Sequence, residues 1–67
     1  MYSNLELEMR RKNITKKQIA DCISVSYDTV IKKFSGKYDW WRQECEKIRD
    51  EFFPEVTIDY LFKKEII

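Results

Sequence analysis

The stretch "TKKQIADCISVSYDTVIKKFSGK", residues 15–37, decides the fold. Thr15 followed three residues later by Gln18 is a capping-box pattern, which starts a helix by satisfying its first unpaired N–H groups. Ile19, Ala20 and Ile23 then fall on one stripe, as an amphipathic helix over about 16–22 requires. Ser24 and Val25 leave room only for a turn. Ser26 caps another helix, whose inward residues are Val30 and Phe34 and whose end is Gly36. The spacing therefore predicts a helix-turn-helix over about 15–35. Ala20 is small where the two helices must approach, Val25 fills the gap under the turn, and Val30 anchors the second helix. Tyr27, Asp28, Ile31 and Lys32 are left on the outer face.

Working outward, Ser3 and Glu6 repeat the capping-box spacing, and Leu5 with Met9 share one face of a first helix that runs to about Lys12. Asn13 breaks it and Ile14 serves as an apolar staple for the next. Beyond Gly36, Tyr38 and Asp39 form a linker and Trp40 seals the start of a fourth helix over about 41–52, which buries Cys45, Ile48 and Phe52. Pro54 stops that helix, and Thr57 caps a short fifth one made from "IDYLF". Five helices, no strand, no internal repeat and no dividing linker predict one compact all-α domain over residues 1–67.

A chain of 67 residues buries only about 60% of its unfolded surface, too little for a core and a deep enclosed active site together. A binding module is the default expectation. With 37% charged residues and one glycine and one proline, the chain reads as folded and helical. It has no histidine, so Cys22 and Cys45 lack partners for a zinc site or a Cys/His nucleophile. Both read as small core residues. The acidic run Glu44, Glu46, Asp50, Glu51 and Glu55 reads as the solvated face of helix 4, so no catalytic residue, metal, cofactor or small-molecule ligand is expected. "MYSNLELEMRRKN" turns charged too early for a signal peptide, and no apolar run is long enough for a bilayer, which points to a cytoplasmic chain with reduced thiols. Residues 1–38 carry eight Lys/Arg against four Asp/Glu, and residues 39–67 five against eight. The basic half is the candidate surface for a polyanion.

The segment "NITKKQIADCISVSYDTVIKKFSGK" resembles the helix-turn-helix of the Cro/repressor (Xre-like) family of phages and mobile elements, through "IA", "VS", "TV" and the closing "GK" at the family's spacing. "FFPEVTIDYLF" looks like the tail of small Cro-like regulators from Gram-positive hosts, so the likeness covers nearly the whole chain. It implies a sequence-specific DNA-binding transcriptional regulator of a bacterial cell or phage-infected host, with a recognition helix over about 26–35 in the major groove. Ser24 departs from the glycine usual at the turn, and Trp40 with Trp41 are unusually bulky.

On that reading Tyr27, Asp28 and Lys32 contact bases, since the first two turns of a recognition helix reach base edges. Asp28 has an alternative role in stabilising the helix N-terminus. Thr15, Lys16, Lys17, Ser26, Thr29 and Lys37 are expected along the DNA backbone, with Gln18 serving the cap in preference to the DNA. One copy offers a single short recognition helix, so a homodimer on a double-stranded operator is expected, formed in solution or completed only on DNA. Phe53, Pro54, Val56, Tyr60, Phe62, Ile66 and Ile67 exceed what one short helix can bury and form the expected dimer surface. Alternatively Phe53 and Phe62 join the core and "KKEII" frays. A competing function is a protein–protein module of the same fold, such as an antitoxin or anti-repressor.

Overall fold

The computed structural model describes residues 2–64. It is all-helical, with α1 over Ser3–Lys12, α2 over Lys16–Ile23, α3 over Tyr27–Ser35, α4 over Arg42–Phe52 and α5 over Ile58–Leu61. No strand occurs among the described residues. The all-α, five-helix expectation holds. α2 packs against both α3 and α4, and α5 packs against α1 and α4. Leu5, Met9, Ile19, Ala20, Ile23, Val30, Phe34, Ile48, Phe53 and Leu61 form the core, joined by Tyr2 from the start of the chain.

The first three helices end alike. After α1 the residue Asn13 adopts φ 57°, after α2 Ser24 adopts φ 58°, and after α3 Gly36 adopts φ 89°. In each case the next N–H reaches back into the last turn: Ile14 to the Met9 carbonyl, Val25 to Ala20 and Lys37 to Lys32, at 2.9, 3.1 and 3.0 Å. This left-handed cap satisfies carbonyls that the helix leaves open and turns the chain sharply. Glycine adopts positive φ freely and asparagine tolerates it, but serine does so at a cost. Ser24 is exposed, so its side chain makes little packing contribution to offset that cost. Ser24→Gly is therefore expected to raise stability by about 0.5–1 kcal/mol, the relief of about 1–2 kcal/mol of backbone strain less the added freedom of the unfolded chain. A lower urea midpoint for the variant would contradict this account of the turn.

Several expectations change. α1 begins at Ser3 itself, so Tyr2 holds the cap position and no side chain caps the helix. The Ser3–Glu6 box does not form, because burial of the Tyr2 ring against Trp40 draws the helix start back by one residue. At the end of α4 the two phenylalanines exchange roles: Phe52 is only half-buried, whereas Phe53 is 0% exposed. Phe53 leaves helical geometry at φ −135°, ahead of Pro54, and this swings its ring inward. It belongs to the core, not to a dimer surface. Val56 and Phe62 also pack partly against the core. Pro54 is exposed, and Tyr60 is 38% exposed. Ile66 and Ile67 lie outside the described residues. Trp40 does more than seal α4: its ring meets Phe34 and Phe62 edge-on at 5.3 Å each and Tyr2 at 6.2 Å. Such contacts add to the burial of three aromatic neighbours and tie α3 to both ends of the chain.

Candidate nucleic-acid interface

Both capping residues of the central motif act as their spacing predicts. The Gln18 N–H donates to Thr15 Oγ1 at 3.2 Å and the Thr15 N–H donates to Gln18 Oε1 at 2.7 Å, so the capping box is complete. Gln18 is thereby committed to the cap. Thr15→Ala is expected to cost about 0.5–2 kcal/mol of stability, the usual loss for a missing cap. Unchanged thermal unfolding would show that the box contributes nothing. At α3, Ser26 Oγ accepts from the Thr29 N–H at 3.2 Å and lies 2.9 Å from Thr29 Oγ1. Both hydroxyls are thus occupied with starting the helix, next to where a DNA backbone contact was expected.

The outer face of α3 carries Tyr27, 54% exposed, with Asp28 beside it. Lys32 Nζ lies 3.0 Å from Asp28 Oδ2 one turn away, and 5.7 Å from the centroid of the Tyr38 ring. The hydrogen bond to Asp28 holds the Lys32 ammonium above the ordinary lysine range, so this side chain stays charged at any physiological pH. Asp28 and Lys32 are brought together one turn apart, and Tyr27 stands exposed at the start of the same helix. Ile31 is not on that outer face: it is half-buried and borders a depression with Tyr2, Lys16 and Phe34.

Two of the three other lysines expected at the DNA are paired as well. Lys16 Nζ sits 3.7 Å from Glu6 of α1 and 5.0 Å from the Phe34 ring centroid. Lys17 lies 3.9 Å from Asp21. Lys37 is exposed and has no carboxylate within 4 Å among the described residues.

Two residues beneath this face escaped the sequence reading. Lys33 is buried. Its Nζ donates to Glu44 Oε1 at 2.8 Å and to the Asp39 carbonyl at 3.0 Å. Glu44 is correspondingly not part of a solvated acidic face, because its Oε1 also accepts the Trp41 N–H at 2.9 Å. One carboxylate oxygen therefore ties the last turn of α3 to the first turn of α4. The Lys33 ammonium also lies 5.8 and 5.3 Å from the Trp40 and Trp41 rings, a favourable place for a cation. The only hint in the sequence is that Lys33 falls three residues after Val30, on the buried stripe.

Trp41 is 66% exposed and borders an open depression with Ile23, Ser24 and Val25 at the turn between α2 and α3. Burial raises the Cys45 thiol to about 11, helped by the nearby Glu44 charge, so it stays protonated at neutral pH. Cys22 is half-buried, and neither cysteine forms a disulfide. Among the described residues no group of three His, Cys, Asp or Glu is placed to hold a metal ion. Likewise no helix there is long and apolar enough to cross a membrane. The chain matches no family model, no curated protein and no solved structure.

Proposed function

We propose that this chain is a sequence-specific double-stranded DNA-binding regulator of the cytoplasm, with α3 as the helix that enters the major groove. One observation carries the reading. Two capped helices meet across a three-residue turn, and the second leaves Tyr27 exposed and the paired Asp28 and Lys32 side chains reaching solvent. An α-helix fits the major groove, and these are side chains that can meet base edges: lysine donates to guanine and aspartate accepts from a cytosine amino group. Thr15, Lys16 and Lys17 at the start of α2, with Lys37 beyond α3, would flank it along the phosphates. A single short helix gives little specificity, so the regulator acts as a homodimer completed on DNA, with half-sites about 34 Å apart.

Selection of bound duplexes from a random-sequence pool tests this. A recurring two-fold site that is lost in a Tyr27→Ala/Lys32→Ala protein is the expected result, and a pool that remains random after selection would defeat the reading. Sedimentation of the protein with its selected site is expected to show two copies per duplex.

The competing reading, a protein–protein module such as an antitoxin or anti-repressor, is favoured by exposed Trp41. Large aromatic side chains left in water beside a depression are common anchors of protein interfaces. A chain that fails the DNA selection while Trp41→Ala abolishes capture of a partner would shift the assignment there.

A further inference from the structure

The face offered to DNA carries its own competitors for phosphate. Of the four lysines proposed to reach the nucleic acid, three are held by carboxylates of the same chain: Lys16 by Glu6 at 3.7 Å, Lys17 by Asp21 at 3.9 Å and Lys32 by Asp28 at 3.0 Å. These acids come from three different helices, α1, α2 and α3. With Lys37, the group has four positive and three negative charges, leaving one net positive charge where the lysines alone would give four. We infer that Glu6, Asp21 and Asp28 limit DNA affinity, holding down sequence-independent binding by occupying the lysines that would otherwise neutralise phosphates.

The inference rests on the DNA-binding reading and deepens it. Non-specific binding comes almost wholly from lysines and arginines that displace counterions from the phosphate backbone. A lysine already paired within the protein must give up that partner first. The abandoned carboxylate then faces the polyanion, a second unfavourable contribution that falls off over about a Debye length, near 10 Å at 0.1 M salt. The pairs are partly exposed, with side-chain exposures of 33% for Glu6 and 70% for Asp21, so each competes modestly. Exposed pairs of this kind correspond to about a two- to five-fold effect each. Their consequence is selective in practice. A protein with weak attraction to DNA at large depends on base contacts from α3 and on a second copy for its occupancy of any site.

The test avoids Asp28, which the base-reading role also involves, and uses Glu6→Gln/Asp21→Asn in the full chain. Both positions are on the surface, so the fold should persist, and the single Asp21→Asn variant at the more exposed position repeats the test with half the perturbation. Binding to a random-sequence duplex of about 20 base pairs, long enough for two half-sites, is followed by fluorescence anisotropy between about 50 and 200 mM salt. The double variant is expected to bind about four- to twenty-fold more tightly at the low-salt end, with a log–log salt slope steeper by about one to two units as Lys16 and Lys17 join the contacts. Parental affinity and slope in the variant would overturn the inference while leaving DNA binding intact. Failure of both proteins to bind either this duplex or a selected site would overturn it together with the DNA-binding reading.

Discussion

Lys33→Met is expected to destabilise the fold by about 3–5 kcal/mol, the usual cost of leaving one member of a buried ion pair alone. The side chains of Lys33 and Glu44 are 5% and 10% exposed, so water cannot replace the missing partner. Removing the lysine leaves the Glu44 carboxylate buried, holding only the Trp41 N–H, and frees the Asp39 carbonyl. Methionine fills much of the same volume, so the loss reports charge and hydrogen bonding more than a cavity. Adding Glu44→Gln should recover more than half of it, because the amide oxygen can still accept from Trp41 while the stranded charge is gone. Urea unfolding of the two variants and the parent measures both numbers. A single Lys33→Met variant within 1 kcal/mol of the parent, on the scale of an exposed pair, would mean that the ion pair does not hold α3 to α4. The pair matters for more than stability, since it anchors the end of the helix proposed to enter the groove and fixes the loop that carries Lys37 and Tyr38.

That pair also shows where the sequence stops being readable. Helix boundaries are local events, so the Thr15–Gln18 box, the Ser26 cap, the Thr57 cap and the Gly36 stop could each be read from three or four neighbouring residues, and all formed. The core stripes of α2 and α3 followed from the same short-range periodicity. Lys33 and Glu44 are separated by 11 positions and a loop, and each looks like an ordinary surface charge until the loop closes. The same holds for Lys16 and Glu6, which belong to different helices. Tyr2 gave no signal at all, because a residue at the start of a chain has no periodic pattern in which to stand out, yet its ring is in the core. The outer face of α3 was legible as a list of residues. Its own Asp28–Lys32 pair and the Lys17–Asp21 pair follow from i,i+4 spacing, whereas the Lys16–Glu6 pair joins two helices and could not be read from any local stretch.

Phe53→Ala is expected to cost about 3–5 kcal/mol, as for other large aromatic residues removed from a core, while Phe52→Ala, half-buried one position earlier, should cost clearly less. The contrast follows from the end of α4. The Phe53 N–H still closes the helix on the Arg49 carbonyl at 2.8 Å, but the φ of −135° turns its side chain away from the helical track and into the core. There the ring has no exposed surface, and the Val56 N–H donates to the Phe53 carbonyl at 3.2 Å to close the following turn. Lys12 of α1 lies over the same ring at 5.4 Å while its ammonium also binds the Phe52 carbonyl and Glu55, so α1 meets α4 at this point. Loss of Phe53 therefore opens the core at the end of α4, where Lys12 of α1 also lies. It follows that a DNA-binding defect in Phe53→Ala would say nothing about dimerisation, because the fold itself would be compromised. Pro54 and Tyr60 are the exposed residues on which the proposed dimer can be tested, and Tyr60 is held in place by its hydroxyl, which donates to Glu8 at 2.9 Å. Tyr60→Phe would remove that bond and Tyr60→Ala the ring as well, so a dimer surface at Tyr60 predicts that only the alanine variant binds DNA as single copies. Equal stability losses at positions 52 and 53 would return Phe53 to the surface and restore it as a candidate for that interface.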